Sequence, residues 1–513
     1  MALRCLFANN KRDFRATRST PALRAITVAT LSAWVALTAT ACAGNMAASQ
    51  GASSRSIEAV NQSIAFASAP NCGSFAAATR DAEAVDSPLV TFDSAWTIIY
   101  RTHWDTTFNG VNWLALRDSL RPRAAASRTR GELRETISAM LSTLRQSHFR
   151  LLPAEQIDGG PLEGTVPASN SNGSGWPGMS LRYLGGGGTR EGGTREGSMV
   201  VSAVDTGGPA WAAGVRTGWT LSAIRGCSVS RSLAEIPTDT NSRRRALEAS
   251  RRVMAMLAGS EGERVPLTFR KPDGRISETD VVYGEPPGSV TQFGNLPPML
   301  SFLTWRRIDR GGQNTGLIAF NNWMPLLASR FDTAMDSLRN SDAIVLDLRG
   351  NPGGLGTMVA GIGGHFTDSV VLLGTEIRRD MQRRLLTNPR RIDSNGQPVK
   401  PFDGPFAIVV DELSGSTTEI FASGMQAVGR ARVFGTRTAG QALPAAMERL
   451  PNGDVLYHAI ANFLNPSGAA VEGGGVLPDV VTPITLRSLV NGQDPALDAA
   501  LAWAAASSGR AAK

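Results

Sequence analysis

The sequence predicts an α/β fold assembled from several domains, and three observations carry that expectation. At 513 residues the chain exceeds what one ordinary hydrophobic core spans. Residues 315–320, 325–338 and 342–347 read in turn as a strand, an amphipathic helix and a fully apolar strand, the alternation of an α/β core. Residues 406–410, Phe-Ala-Ile-Val-Val, form a short apolar run that a Gly/Ser-rich turn separates from a helical pattern carrying Ile420, Phe421, Met425 and Val428.

Taken in order, the chain opens with Arg4, Lys11, Arg12, Arg15, Arg18 and Arg24 against Asp13, followed by an apolar run from about Ala25 to Ala41. This is the layout of an export signal over residues 1–41, too short for a spanning helix. Ala39-Thr40-Ala41-Cys42 resembles a bacterial lipobox, which would place a lipid on Cys42 and the mature protein at a membrane surface. Cleavage after Ala43 is the competing reading. Residues 42–87 are rich in Ala, Ser and Asn with little periodicity and read as a tether. Export makes a disulfide between the two later cysteines, Cys72 and Cys227, permissible.

Residues 88–160 carry helical patterning, with Trp96, Ile98, Ile99, Trp113, Leu114, Leu133, Ile137, Met140 and Leu141, and read as a small helical domain. The pattern stops at Ser147-His148, which by itself is a fraying helix end. Residues 165–283 form a second, β-rich unit. It contains a repeated Gly-Thr-Arg-Glu-Gly at 188–192 and 193–197, read as an exposed hairpin tip, and a strand at 199–204. The third unit, 290–505, holds the strand-helix alternation and the turn Leu348-Arg-Gly-Asn-Pro-Gly353-Gly354, whose glycines can direct two N–H groups at one point. A polar strand pattern is expected over 455–463.

Charge and composition remove whole classes of function. The net charge of +8 is concentrated in the first 41 residues, which hold +5, so the remainder has no nucleic-acid footprint. Of 52 basic residues only Lys11, Lys271, Lys400 and Lys513 are lysines, which leaves few candidates for lysine chemistry. No metal-ligand spacing and no phosphate loop is present, and no cofactor is expected.

Ser416 stands where the strand at 406–410 turns into the following helix. A hydroxyl there can be held by the turn beside unpaired helical N–H groups, the geometry of an acyl-transfer nucleophile. Ser416-Thr-Thr-Glu419 is equally a capping box, in which the same residues satisfy backbone donors. The stretch alone leaves both readings open.

Several ordered motifs together resemble the S41-type serine peptidases, the C-terminal-processing and tricorn-type family, from about Thr91 to Thr485. They are Asp347-Leu-Arg-Gly-Asn-Pro-Gly-Gly354, the turn at 414–419, Gly-Arg-Ala at 429–431 with Gly-x-x-Thr-x-Gly at 435–440, and Gly475-Val-Leu-Pro-Asp479. The resemblance implies a ClpP/crotonase-like peptidase core. One branch of the family places a lysine just beyond the Gly-x-x-Thr-x-Gly element; here that residue is Gln441, whose amide is no base. The other branch uses a Ser-His-Ser-Glu tetrad, and Ser147-His148 and Glu472 match it. The resemblance implies Ser416 as nucleophile, His148 as base, Ser147 and Glu472 holding the imidazole, and an oxyanion site from the N–H groups of Gly353 or Gly354 and of Thr417. His103, His365 and His458 are expected to be structural.

Residues 208–221 resemble the PDZ signature, with Trp219 where most such domains carry Asp. That implies capture of polypeptide C-termini by strand addition, with Gly178, Met179, Ser180 and Leu181 as the carboxylate-cradling loop. The expected function is an exported serine endopeptidase acting on polypeptides. The alternatives are a carrier of hydrophobic ligands or a PDZ adaptor on the same fold.

Overall fold

The computed structural model describes residues 83–154, 175–185, 197–237, 241–293 and 299–511. The expected export segment, Cys42, most of the tether, Cys72 and the repeated Gly-Thr-Arg-Glu-Gly pair up to residue 196 lie outside the described residues. Among the described residues no helix is long and apolar enough to cross a membrane.

The first described unit is three helices and a short strand. In α1 (Pro88–Thr102) the residues Phe92, Ala95, Trp96 and Ile99 repeat at helical spacing and are buried. Asn112 caps α2 (Trp113–Ala125) by accepting from Ala115 N–H at 3.0 Å, and Thr129 caps α3 (Arg130–Ser142) through Glu132 N–H at 3.3 Å. The three helices do not close a core alone; Leu450 and Leu456, about 300 residues further on, complete it. After α3 the chain passes through Ser147 and His148 into β1 (Arg150–Leu152).

The β-rich unit comprises β2 (Met179–Leu184), β3 (Ser198–Val204), α4 (Pro209–Ala212), β4 (Thr220–Ile224), β5 (Cys227–Ser228), α5 (Val229–Ala234), α6 (Ser242–Leu257), β6 (Arg264–Arg270) and β7 (Ile276–Val282). Its sheet runs β2-β3-β4-β6-β7, with β5 paired to β4. The Gly-x-Pro-Ala segment forms α4, with Pro209 at its first turn, and Gly214 and Gly218 take the positive φ angles of 82° and 85° that close the following turns. Cys227 is disulfide-bonded. A two-stranded ribbon, β8 (Ser289–Thr291) with β9 (Met299–Ser301), leads into the third unit.

That unit holds β10 (Leu303–Arg310), β11 (Gln313–Phe320), α7 (Leu326–Leu338), β12 (Ala343–Asp347), α8 (Met358–Gly364), β13 (Leu372–Ile377), β14 (Gln382–Leu386), β15 (Phe406–Val410), α9 (Thr417–Ala427), β16 (Arg432–Gly435), β17 (Ala445–Arg449), β18 (Val455–Ala459), β19 (Asn462–Leu464), β20 (Val480–Val481), α10 (Leu486–Val490) and α11 (Pro495–Ala511). Its main sheet runs β10-β11-β12-β15-β16-β20, and all neighbours from β11 onward are parallel. The apolar run of β15 is explained by its two faces. Phe406, Ile408 and Val410 enter one core with α7, α8 and α9, while Ala407 and Val409 enter the other with Ala496, Ala500 and Leu501 of α11. Each such side chain, when fully buried, contributes roughly 1.5–3 kcal/mol.

The polar pattern at 455–463 is two strands rather than one. β18 pairs with β17 and β1, whereas β19 pairs with β13 in another sheet, and the strand is interrupted at 460–461 between them. The turns after β12, β15 and β16 lie together at the carboxyl ends of parallel strands, the usual place for a site in an open α/β sheet.

Candidate active site

Ser416 sits at the junction of β15 and α9 with φ 54° and ψ −121°, a conformation costly for any residue with a Cβ. Its N–H donates to Gln441 O at 2.8 Å and to Glu419 Oε2 at 3.1 Å. Ser416 and Glu419 form a capping box, in which the Glu419 N–H donates to the Ser416 carbonyl oxygen at 2.8 Å and turns toward the Ser416 side chain, while the Glu419 carboxylate accepts from the Ser416 N–H. The two readings of this turn are compatible, because a hydroxyl that accepts within a cap keeps its own proton and a second lone pair.

Glu419 is the anchor of the turn. Fully buried, it accepts from Thr438 Oγ1 at 2.5 Å, Gly440 N–H at 2.7 Å and Gln441 N–H at 2.8 Å besides Ser416. Burial raises its pKa to about 7, and the four donors oppose that rise.

The preceding turns are braced against it. Gly353 approaches Ser416 so closely that an added Cβ would stand 2.6 Å from Ser416 Cβ and 2.9 Å from Thr417 N, so no larger residue fits. Gly353 N–H donates to Asn351 Oδ1 at 3.0 Å. Thr417 Oγ1 donates to Gly354 O at 2.7 Å and Thr418 Oγ1 to Asn351 O at 3.0 Å, stitching α9 to the glycine turn. Among the described residues, no acceptor is met by the N–H of Gly354 or of Thr417.

A second group of residues comes from the segment between α3 and β1. Ser147 N–H and Oγ donate to the two carboxylate oxygens of Glu472, at 2.8 and 2.9 Å, and Ser147 Oγ lies 2.6 Å from His148 Nδ1. A hydroxyl has one proton; with that proton on Glu472, Ser147 Oγ accepts from Nδ1–H, which leaves Nε2 as the bare nitrogen of the ring. Glu472 also accepts from Ala442 N–H at 3.0 Å, and burial raises its pKa. His148, like Ser416, has a positive φ, 62°. Burial first, then the charges of Arg150 and Arg251, lower the His148 pKa to about 3, so the ring is neutral at ordinary pH.

Ser147, His148 and Glu472 are thus brought together, as are Ser416, Thr417, Gly353 and Gly354. Among the described residues no hydrogen bond joins His148 to Ser416. Gly178, Met179, Ser180 and Leu181 are elsewhere: all four are buried in the β-rich unit, where Met179 and Leu181 belong to its core. The remaining histidines have local partners: His103 Nε2 with Gln146 Oε1 at 3.0 Å, His365 Nε2 with Asp332 at 2.8 Å, and His458 Nε2 with Glu448 at 3.1 Å.

The sequence reading missed residues that reach the site from other units. Arg182 of β2 is buried and pairs with Asp411 and, at 3.3 Å, Glu412, just after β15. Arg243 of α6 donates to Thr438 O at 3.0 Å, Gly474 O at 2.8 Å and Gly473 O at 2.8 Å, gripping the loop that carries Glu472. Neither Arg182 nor Arg243 had a local signal in the sequence.

Residues 314–482 match peptidase family S41, and residues 86–142 match the tricorn protease C1 domain. The protein is 26% identical over 397 residues to a carboxyl-terminal-processing protease of Picosynechococcus, covering 76% of this sequence and 82% of that protein. It is 26% identical to the chloroplastic carboxyl-terminal-processing peptidase 3 of Arabidopsis thaliana, covering 78% and 69%. In fold it resembles the photosystem II D1 C-terminal processing protease, with a TM-score of 0.51 at 20% identity over 80% of this protein and 99% of that one. Residues 314–482 are thus similar to peptidase family S41, and the protein is a serine-type peptidase.

Proposed function

We propose that Ser416 Oγ attacks the scissile carbonyl while His148 Nε2 takes its proton and later delivers it to the leaving amine. Glu472 and Ser147 hold the imidazole in the productive tautomer and stabilise its cationic form. The N–H groups of Gly354 and Thr417 receive the oxyanion; Gly353 is assigned instead to close packing, because its N–H is occupied by Asn351. The observation that carries this reading is the Glu472–Ser147–His148 relay, together with a strained serine at the junction of β15 and α9. Bonding between His148 and Ser416 is completed with substrate, as catalytic hydrogen bonds commonly tighten on binding. A fluorophosphonate probe should label Ser416 in the parent protein and far more slowly in His148→Ala. Equal labelling of the two would mean that the base is wrongly assigned.

Substrates on this reading are polypeptides, and the carboxyl-terminal-processing relatives favour recognition near the carboxyl ends of those polypeptides. Residues 165–283 act as a PDZ domain, with edge strand β2 as the acceptor of an added strand. In this structure α6 packs against β2, with Arg245 Nε donating to Tyr183 Oη at 3.0 Å, so α6 must part from β2 before Gly178–Leu181 can cradle a carboxylate. The carrier and adaptor readings are not favoured by any observation at the site.

Export and lipid attachment at Cys42 complete the proposal, on the charged n-region, apolar run and small-residue site. Two or more acyl groups hold a protein firmly at a membrane, whereas one does so only marginally. Mass spectrometry of the mature N-terminus is expected to show acylated Cys42; an unmodified terminus after Ala43 would retain export and remove the anchor.

A further inference from the structure

Residues 145–149, which carry Ser147 and His148 between α3 and β1, are neither helix nor strand. Their backbone takes positive φ at Arg145, 54°, and at His148, 62°. For residues with a Cβ such conformations persist only where the surroundings over-determine them. Glu472 holds Ser147. The residues on either side of the Ser147–His148 pair are held instead by the link between α1 and α2, residues 103–112, which the proposed chemistry does not use.

His103 is the centre of that link. It is wholly buried, and its ring meets both neighbours of the pair. Nε2 lies 3.0 Å from Gln146 Oε1, and the ring stacks on Phe149 with centroids 5.4 Å and planes 19° apart. Phe149 is thereby packed against the helical core, while the His148 ring faces Tyr457 of β18 at 5.2 Å. His103 Nδ1 lies 3.1 Å from the Asp105 nitrogen and 2.7 Å from the Asp105 carbonyl oxygen. Burial lowers the His103 pKa, and the neutral ring meets its partners with Nδ1 accepting from Asp105 N–H and Nε2–H donating to Gln146. Asp105 is itself fixed, because its carboxylate accepts from the N–H groups of Thr107 and Asn109, each at 2.8 Å. Asn109 Nδ2 in turn donates to Leu144 O at 2.8 Å. The link is also registered against the third unit, which carries Ser416. The His103 carbonyl accepts at 3.2 Å from Arg379 Nε, in the turn between β13 and β14, and Thr102 Oγ1 lies 3.2 Å from His458 Nδ1 of β18.

We propose that His103 is a positioning residue for His148: by fixing Gln146 and Phe149 it sets where the imidazole stands relative to Ser416. The inference rests on the tetrad reading above and adds to it a second histidine, one that exchanges no proton with substrate. A wholly buried ring does not touch substrate, so His103 acts on kcat and leaves KM nearly unchanged. Its two ties are separable. His103→Phe keeps a ring against Phe149 and loses the donor to Gln146, Gln146→Leu removes the acceptor, and His103→Gln keeps a donor without the stacked ring.

The experiment uses the full-length protein and reads fluorophosphonate labelling of Ser416 alongside hydrolysis of a peptide substrate. The end-point of labelling counts folded sites, and its rate reads how well the serine is activated. His103→Phe and Gln146→Leu are each expected to lower kcat per labelled site, and the labelling rate, by about tenfold or more, with KM within about twofold of the parent. A misplacement of about 1 Å at a reacting group costs as much as roughly 10²-fold. The double variant should lose no more than about twofold beyond either single variant, because both cut the same hydrogen bond. His103→Gln should recover part of the loss seen in His103→Phe. Fewer labelled sites with kcat per site and labelling rate unchanged would reduce His103 to a structural residue and overturn the proposal. Losses that multiply in the double variant would overturn it as well. Gln146→Leu, at a half-buried position, keeps the test open should His103→Phe fail to fold. His148→Ala separates this inference from the one beneath it. Slow labelling there, with parent-rate labelling in His103→Phe and Gln146→Leu, overturns the positioning role alone, whereas parent-rate labelling in His148→Ala overturns the tetrad.

Discussion

Replacing Ser416 or His148 by Ala is expected to lower kcat/KM for a peptide substrate by at least about 10³-fold, while Lys271→Arg and Lys400→Arg leave it within about twofold. The serine branch with a lysine base is closed by position as well as by composition. Gln441 stands where that branch places its lysine, and its backbone carbonyl accepts from Ser416 N–H at 2.8 Å. Lys271 lies 4.7 Å above the Trp219 ring in the β-rich unit, and Lys400 sits in the loop before β15, where its carbonyl is bound by Arg339. Glu472→Gln should cost less than either alanine variant, because on the proposed mechanism the side chain orients and stabilises without exchanging the reacting proton. The pH profile of the parent supplies an independent reading. Burial, Arg150 and Arg251 favour the neutral imidazole, so the base remains competent well below the ordinary histidine pKa of about 6.5. The acid limb of kcat/KM should fall far on the acid side of that value, and a limb above it would point to a different base.

How much of this was legible beforehand depended on whether a contact was local. The strand at 406–410, the helix after it and the strand-helix alternation from 315 to 347 were readable because burial on one or two faces is written directly into residue periodicity. Ser147-His148 and Glu472 could be named only through resemblance; nothing in their spacing, 325 residues apart for Ser147 and Glu472, says that they touch. The capping box at 416–419 was ambiguous for a physical reason. The same residues satisfy a cap through the backbone and through Glu419, and only the fate of the Ser416 hydroxyl distinguishes the uses. Gly353 and Gly354 were indistinguishable as sequence, and the side chain of Asn351 separates them by occupying the first. The break between β18 and β19 escaped because alternation persists across it while the pairing partner changes. Arg182 was invisible, since a surface arginine and one buried against another part of the protein look alike in sequence.

Arg182→Met is expected to abolish hydrolysis of small ester substrates along with that of polypeptides, lowering kcat by about 10²-fold or more, rather than raising KM for long substrates alone. The sequence reading assigned the β-rich unit a substrate-selecting role, which predicts the second pattern. The contacts of β2 argue for the first. Asp411 accepts from the N–H groups of Gly350, Leu413 and Ser414 at 3.0, 2.9 and 2.9 Å, and so ties the glycine turn after β12 to the turn that presents Ser416. Burial by itself would raise the Asp411 pKa; the adjacent Arg182 charge and the backbone donors outweigh it and hold the pKa below the usual carboxylate range. Removing one member of a buried ion pair leaves the other uncompensated, at a cost of about 3–5 kcal/mol. Asp411 would then be relieved by taking up a proton or by moving out toward solvent, and either response disturbs the spacing between Gly354 and Thr417. On the proposed mechanism an ester needs those N–H groups as much as a peptide does, because both react through an oxyanion. Kinetics on a short ester and on a long peptide, with thermal unfolding measured on the same sample, decide the matter. A loss confined to KM for the peptide, with ester turnover and stability unchanged, would show that β2 serves substrate capture and takes no part in holding the catalytic turns.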